Sequence, residues 1–195
     1  MEMCCTMTNP DSQALHEIQL ALASLHIPFC VVGSFASSAR GKPRATMDVD
    51  LLVRITRDQA GRLAEALGPG WSVDLEGIAE ALRWRRAFNI FNLQSGLKFD
   101  LFPAFDQFHD VQLQRATTMA LADGTVKCPV ATAEDMVLAK LQWYRAGGEV
   151  SEKQWTDTIG LLQAHSLDSA YLRSWSTQLR VDDLLSRALA EAGRD

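Results

Sequence analysis

The sequence lacks the features that mark disulfide scaffolds, zinc proteins and membrane proteins. Its four cysteines, at positions 4, 5, 30 and 128, form no C-x-x-C pair, and its four histidines have no spacing typical of a metal site. No apolar run approaches the roughly 20 residues that cross a bilayer. The first ten residues also lack the basic and then apolar pattern of a secretion signal. We therefore expect reduced, structural cysteines and a cytoplasmic protein.

An excess of positive charge is also missing. Lys and Arg number 19 against 24 Asp and Glu, which gives a formal net charge of −5. This balance disfavours broad, non-specific coating of nucleic acids, although a local basic patch could still bind a particular RNA. The 195 residues are 47% hydrophobic, which is enough to bury a full core. The composition predicts one folded domain, or one domain with a small extension.

Strand-like and helix-like patterns alternate over the first two thirds of the chain. Strands are predicted at 29–32, within 46–53, at 88–93 and 97–102, and in a small hairpin of 117–121 and 125–128. Helices are predicted from a cap at Asp11 or Ser12, and then at 35–40, 57–67 and 75–86. Beyond Thr132 only helical periodicity remains, at 134–145, 151–165, 169–178 and 181–192. The pattern predicts an α/β (α+β) catalytic core over residues 1–130, with a helical part over 131–195 packed on it.

Two aspartates stand one residue apart in the strand-like run Thr46-Met47-Asp48-Val49-Asp50-Leu51-Leu52-Val53. Side chains two apart on a strand face the same way, so both carboxylates point at one spot. Unless a cation lies between them, like charges held that close repel, and one carboxylate has to take up a proton. Ligand sets made only of oxygen suit hard divalent cations. The pair Asp48 and Asp50 therefore predicts a metal site.

A third acid and a Gly-Ser turn add to this site. Asp100 lies in the strand-like segment 98–102 and could lie beside the pair. Three carboxylates can hold two Mg²⁺ ions, with Mn²⁺ as an alternative, and such ions polarise a transferring phosphoryl group and help to deprotonate an attacking hydroxyl. Asp48 and Asp50 would bridge the metals, with Asp100 beside the attacking group. Gly33 lets a phosphate approach the backbone, where the Ser34 hydroxyl and the following helix N-terminus can donate to it.

Each of these features also has a purely structural interpretation. Asp-x-Asp pairs are common at exposed strand ends, and Asp100 could be a solvent-facing strand residue. Gly33 could mark a tight turn and Ser34 could cap a helix. Elsewhere, His109 is expected in a loop. The aromatic side chains of the helical part are predicted to serve packing and not cofactor contacts, namely Trp143, Tyr144, Trp155 and Trp175.

Basic residues form two groups in the first half of the chain. Arg40, Lys42 and Arg44 lie between the Gly-Ser turn and the acids, and Arg44 in particular is predicted to contact nucleotide phosphates. The run Arg83-Trp84-Arg85-Arg86 combines three cations with an aromatic ring, which could bind an RNA backbone and stack a base. The same run could instead end a helix, because arginines there favour the helix dipole, and its tryptophan could be a core residue.

The order of these motifs resembles the nucleotidyltransferase superfamily that includes DNA polymerase beta. Gly33-Ser34, a spacer of thirteen residues and Asp48-Val49-Asp50 look like the glycine-serine and paired-acid motif of that family. The segment Lys98-Phe99-Asp100-Leu101-Phe102 is similar to its third-acid strand. The resemblance implies a mixed sheet flanked by helices, with all three acidic positions present.

The helical half carries a narrower resemblance. The run from Ala133 to Leu141, followed by Gln154-Trp155-Thr156-Asp157, is similar to small bacterial nucleotidyltransferases related to abortive-infection toxins of the AbiEii type. The resemblance spans roughly residues 28–165. In those relatives a lysine and an aspartate face the nucleotide cleft, which implies Lys140 and Asp157 as nucleotide contacts. A basic residue often precedes that aspartate in the relatives, where this chain has Thr156.

The resemblance implies a Mg²⁺-dependent nucleotidyltransferase, which transfers a nucleoside monophosphate from a nucleoside triphosphate to a hydroxyl acceptor. RNA or tRNA ends, a protein hydroxyl and a small molecule such as an antibiotic all remain open as acceptors. A role in a toxin–antitoxin pair, with an antitoxin as partner, is the family-level suggestion. The alternative from a different class is a nucleotide-binding or regulatory module of the same fold without transfer activity.

Overall fold

The protein is described by a computed structural model that covers residues 9–40, 48–121 and 126–194. These residues form two compact units, one of residues 9–36, 48–121 and 126–131 and the other of residues 37–40 and 132–194. The elements follow in the order α1 (Asn9–Ser24), β1 (Phe29–Val32), α2 (Gly33–Arg40), β2 (Asp48–Val53), α3 (Arg57–Leu67), β3 (Trp71–Val73), α4 (Leu75–Arg83), β4 (Phe88–Asn92), β5 (Lys98–Pro103), α5 (Gln107–Arg115), β6 (Thr117–Leu121), β7 (Val126–Val130), α6 (Ala133–Ala146), α7 (Glu152–Ala164), α8 (Ser169–Gln178) and α9 (Asp182–Glu191). The prediction of an α/β chain that ends in helices is confirmed.

Two elements are missing from the sequence prediction, and several boundaries differ from it, among them those of α1 and α4. β3 has three residues, too few for a periodic signal, and it is defined by its pairing with β4. α5 starts at an Asp106 N-cap and is only weakly amphipathic, so its sequence carries no clear helical period. His109 therefore lies in a helix and not in the expected loop. Burial lowers the pKa of the His109 imidazole. α1 begins at Asn9, ahead of the predicted caps, and α4 ends at Arg83 instead of residue 86.

All seven strands belong to one mixed sheet in the first unit, with the order β3-β4-β5-β2-β1-β7-β6. β2 runs antiparallel to β1 on one side and parallel to β5 on the other. The small predicted hairpin is present, with β6 and β7 antiparallel at the far edge. The strand that carries the paired aspartates therefore has strand neighbours on both sides, which hold its backbone in place.

The register of β2 and β5 sets which side chains are neighbours. Asp50 lies opposite Asp100, and Asp48 lies opposite Lys98. Along β2, Val49 is buried while the aspartates on either side of it are partly exposed, the alternation expected of a strand with one face on the core. Asp100 lies beside the pair, as the sequence predicts.

The opposite face of the sheet carries the apolar core of the first unit. Phe99 alternates with Lys98 and Asp100 on β5, is fully buried, and its ring centroid lies 5.3 Å from that of Trp71. The Trp71 indole Nε1 donates to Glu17 Oε2 of α1 at 3.1 Å, and α1 buries Leu15, Ile18 and Leu22 as its periodicity predicts. Each large side chain buried in this way contributes about 1.5–3 kcal/mol. The core therefore fixes the strands. The strands in turn fix the acidic face, which is the side of β2 and β5 that carries Asp48, Asp50 and Asp100.

The second unit is helical, and its first helix starts as the sequence predicts. Thr132 is the N-cap of α6, where its Oγ1 accepts from the Asp135 backbone N–H at 3.3 Å. Asp135 is fully buried and accepts from the Thr132 hydroxyl at 2.8 Å and from the Tyr171 hydroxyl of α8. These donors compensate for the cost of burying the carboxylate, which is high for an unpartnered charge.

The aromatic residues of this unit are not all in its core. Tyr144 and Trp155 are buried with their ring centroids 5.2 Å apart, as predicted. Trp143 is 58% exposed and therefore lies outside the core. The reason is helical geometry, because consecutive helix residues point about 100° apart and Tyr144 takes the inward position.

Cys30 of β1 and Cys128 of β7 are reduced cysteines with no exposed surface. Burial raises the pKa of Cys128 to about 12, which leaves it protonated and unreactive at neutral pH. Both cysteines are therefore small core residues, as predicted. None of the described helices has the length and apolar character needed to cross a membrane.

Gly33 makes the junction between β1 and α2, and it does so against Asp50. Its φ of 65° lies in the left-handed region that favours glycine. A Cβ on Gly33 would stand 1.9 Å from Asp50 Oδ2, which is far inside van der Waals contact. The next residue, Ser34, donates its backbone N–H to the same Oδ2 at 3.3 Å. The glycine of the Gly-Ser motif therefore makes room for the second aspartate of the pair.

We predict that Gly33→Ala lowers the free energy of unfolding by roughly 2 kcal/mol or more, because the added methyl meets Asp50 and the backbone is strained for alanine. Chemical denaturation followed by circular dichroism measures this. The matched control is Gly61→Ala in the middle of α3, where a Cβ meets nothing within 4 Å. That control should gain about 0.5–1 kcal/mol. Equal stability of Gly33→Ala and the wild type would contradict the described junction.

Candidate active site

Three carboxylates and one ammonium group share the open face of β2 and β5. Lys98 Nζ lies 2.9 Å from Asp100 Oδ2 and 3.4 Å from Asp48 Oδ2. Lys98 reaches both acids because it is two residues from Asp100 on the same strand and directly opposite Asp48 on the neighbouring strand. Hydrogen bonding to Asp100 is the largest cause of the raised pKa of Lys98, so the ammonium stays charged at neutral pH. The acidic face therefore contains its own cation.

Asp100 is held from two sides. Its Oδ2 accepts from Lys98, and its Oδ1 accepts from the Asn89 side-chain amide at 2.5 Å, with the amide oriented so that Nδ2 faces the acid. Asn89 reaches Asp100 because the two residues are register partners in the β4–β5 pair. Only 16% of the Asp100 side chain is exposed, against 51% for Asp48. The Asp100 side chain is therefore more enclosed than that of Asp48.

Asp50 is oriented by the Gly-Ser turn. Its Oδ2 accepts the Ser34 N–H and fills the space that the missing Gly33 side chain leaves. The sequence predicts that Gly33 and Ser34 contact a phosphate, whereas the contact seen here is with the acid. The turn and the paired acids are therefore one structural unit, and the phosphate contact stays a prediction.

Chemically, the donor set fits a hard divalent cation. Carboxylate oxygens are the ligands that Mg²⁺ prefers, and Asp48, Asp50 and Asp100 supply them from two adjacent strands. In the described part of the chain, no three His, Cys, Asp or Glu side chains stand close enough together to hold a metal ion. The contacts explain this, since Lys98 bonds Asp48 and Asp100 while the Ser34 N–H bonds Asp50. The backbone positions suit a metal site, whereas the carboxylates are engaged with other partners.

The two other predicted nucleotide contacts are Arg44 and Lys140. Arg44, with Lys42, falls outside the described residues. Lys140 lies in α6 of the second unit, where it is 5% exposed and its Nζ donates to Asp157 Oδ2 of α7 at 2.9 Å. The two helical residues that the resemblance implies are thus brought together as an ion pair. Their contact with a nucleotide stays a prediction.

The basic run after α4 ends that helix, in agreement with one of the two sequence interpretations. Trp84 is the C-cap residue of α4, and Arg85 follows in the left-handed region with a φ of 53°. The Trp84 side chain is 61% exposed, so the prediction of a core residue is wrong. The Arg83 guanidinium lies 5.3 Å from its ring centroid.

The sequence prediction missed Lys98 and Asn89. For Lys98 a signal was available, because a residue two positions before Asp100 on a strand must share its face. For Asn89 no sequence pattern was sufficient, because its contact depends on the register of the β4–β5 pair. Both residues touch the acid that is predicted to lie beside the attacking group.

Three solved structures cover nearly the whole chain. The antibiotic-resistance factor ANT(2'')-Ia, solved in solution, is 14% identical with a TM-score of 0.51 and covers 94% of this chain and 96% of its own. A crystal structure of ANT(2'')-Ia in complex with adenylyl-2''-tobramycin is 14% identical with a TM-score of 0.53, covering 88% and 98%. An antigenic nucleotidyltransferase-like protein from Paracoccidioides brasiliensis is 18% identical with a TM-score of 0.52, covering 95% and 93%.

At these identities the likeness is one of fold. No protein-family model matches the sequence, and no curated protein is similar enough to count as a match. The fold that the resemblance implies, a mixed sheet flanked by helices, is confirmed. The narrower resemblance to AbiEii-type toxins stays a prediction. The chain has a mixed α/β fold that it shares with nucleotidyltransferase-like proteins.

The Lys140–Asp157 pair gives a prediction about the second unit alone. The Lys140 side chain is 6% exposed and that of Asp157 is 19% exposed, so Lys140→Met leaves a poorly solvated carboxylate and should cost roughly 2 kcal/mol of unfolding free energy. Urea denaturation without nucleotide measures this. The control, Lys153→Met, changes an exposed lysine of α7 and should stay within about 0.5 kcal/mol of wild type. Indistinguishable stabilities of the two variants would argue against the buried pair.

Proposed function

We propose that the protein is a Mg²⁺-dependent nucleotidyltransferase that transfers a nucleoside monophosphate from a nucleoside triphosphate to a hydroxyl group. The observation that carries the proposal is the register of β2 and β5, which puts Asp48, Asp50 and Asp100 side by side next to the Gly-Ser turn. Like charges in neighbouring register positions are destabilising without a counter-charge, and a divalent ion bound by the three carboxylates would supply one. The shared fold with nucleotidyltransferase-like proteins supports the proposal.

In the proposed reaction, the acceptor oxygen forms a bond to the α-phosphorus while the bond between that phosphorus and the oxygen bridging to the β-phosphate breaks. Pyrophosphate leaves, and the hydroxyl proton passes to Asp100, which Asn89 holds in a fixed orientation. Asp48, Asp50 and Asp100 would hold Mg²⁺, which supplies charge neutralisation at the phosphates when bound. Ser34 and Gly33 orient Asp50 toward that face.

The acceptor class is the open part of the proposal. ANT(2'')-Ia has been solved with an adenylylated tobramycin, and a cationic, hydroxyl-rich small molecule of that kind suits a chain with a net charge of −5. RNA or tRNA ends and protein hydroxyls are the acceptors that a toxin role would require, with an antitoxin as partner. The charge balance leads us to rank the small-molecule acceptor first.

A second candidate function is nucleotide binding without transfer. The observation that favours it is the engagement of the acids by Lys98 and the Ser34 N–H, which leaves no grouped metal ligands among the described side chains. A regulatory module of the same fold would bind a nucleotide and release it unchanged. The two candidates make opposite predictions about label transfer.

We predict that Asp48→Asn abolishes transfer, with a loss of roughly 10³-fold or more, because it removes a carboxylate from the proposed metal site. The assay incubates the protein with each α-labelled triphosphate and Mg²⁺, together with tobramycin, total RNA or protein extract. The control is Glu65→Gln, which neutralises an exposed acid of α3 and should leave transfer unchanged.

The fraction that carries the label identifies the acceptor. Label in tobramycin supports the small-molecule acceptor, whereas label in RNA or protein supports a toxin-like activity. Nucleotide binding without label in any fraction would overturn the transferase proposal in favour of the binding module. Equal transfer by Asp48→Asn and the wild type would overturn the proposed site.

A further inference from the structure

The acidic face has an electrostatic problem that its own strand pairing creates. Asp50 and Asp100 are register partners on adjacent strands, and Asp48 is two residues from Asp50 on the same face. Like charges directly opposite on a sheet are destabilising. Between carboxylates on adjacent strands the repulsion is large unless a cation intervenes. The folded protein without metal therefore needs a counter-charge at this place.

Lys98 supplies that charge from within the strand pair. Its position opposite Asp48 and two residues before Asp100 puts its ammonium between the two strands, at 3.4 Å and 2.9 Å from the two carboxylates. Its side chain is 29% exposed and that of Asp100 is 16% exposed, so water screens this contact less than a fully exposed ion pair.

The lysine also uses the carboxylate oxygens that a metal ion needs. Asp48 Oδ2 and Asp100 Oδ2 both face the ammonium. A divalent ion on the same oxygens and the ammonium compete for them, because two cations close to the same carboxylates repel each other. The ammonium and the metal ion are therefore alternatives at one site.

We propose that Lys98 is a resident counter-cation, which stabilises the acidic face without metal and has to be displaced before a divalent ion binds. The inference rests on the proposed function for its metal ligands, and it adds a role for a residue outside that ligand set. Lys98 is a positioning residue, since it acts through Asp48 and Asp100. It makes metal affinity weaker than the three carboxylates alone would give.

The test compares Lys98→Gln with the wild type by titration with Mn²⁺ alone, read by calorimetry and by water proton relaxation. We expect Lys98→Gln to bind Mn²⁺ about tenfold more tightly, because the competing charge is gone. Lys127→Gln is the matched control, with the same change in net charge at an exposed position on β7 of the same sheet. It should bind Mn²⁺ within about twofold of wild type. Lys98→Arg keeps the charge and should not tighten binding.

Thermal unfolding gives a readout that is independent of activity. In EDTA, Lys98→Gln should melt at a lower temperature than Lys127→Gln, because the acids lose their counter-cation. Saturating Mn²⁺ should reduce or reverse that difference, since the tighter-binding variant gains more from the ligand. Circular dichroism of both variants confirms that each is folded before the titration.

The outcomes separate this inference from the proposed function. If Mn²⁺ binding depends on Asp48 but is equal or weaker in Lys98→Gln, the role of Lys98 is overturned while the metal site stands. If neither the wild type nor Lys98→Gln binds Mn²⁺, the metal site itself is overturned, and the displaceable counter-cation with it. Tighter binding by Lys98→Gln that is lost in Asp48→Asn/Lys98→Gln supports both.

Discussion

The pairing of Asp50 with Asp100 across two parallel strands is the constraint on which the rest of the site depends. It brings two negative charges into neighbouring register positions, which a sheet avoids unless another group compensates. Three features of the first unit compensate here. Lys98 bonds the acids of both strands, Asn89 donates to Asp100, and the Ser34 N–H donates to Asp50. Each of these contacts follows from strand register or from the Gly33 turn. The fold of the sheet therefore determines the contacts of the acidic face.

This arrangement links stability to function. The apolar core on the other face of β2 and β5 fixes the strands, so the acids do not need to move the backbone in order to meet a ligand. In the proposed metal site only side-chain contacts would change, from the Lys98 ammonium to a divalent ion. Preorganisation of this kind is what a phosphoryl-transfer site requires, since positioning and charge neutralisation provide most of its catalysis. The glycine at the turn matters for the same reason, because any side chain at position 33 would push Asp50 out of place.

Much of the fold could be predicted from the sequence, because alternation and helical periodicity are local signals. They identified β1, β2, β5 and the C-terminal helices, and the two-residue spacing of Asp48 and Asp50 predicted their common face. The short strand β3 and the weakly amphipathic α5 were missed because neither carries enough apolar residues for a period. The contact of Asn89 with Asp100 depends on register, which is a tertiary property. The pairing of Lys140 with Asp157 likewise depends on how α6 and α7 pack, and a lysine on a helix gives no sign of burial by itself.

We propose that the three acids form a divalent metal site from which Lys98 is displaced. Anomalous diffraction from crystals grown with Mn²⁺ tests it most directly. We predict a Mn²⁺ peak bonded to carboxylate oxygens of Asp48 and Asp50, at about the 2.0–2.2 Å typical of small divalent ions. In the same crystals the Lys98 ammonium should no longer be bonded to Asp48. A structure at saturating Mn²⁺ with no peak at these acids, and with Lys98 still bonded to Asp48 and Asp100, would contradict it.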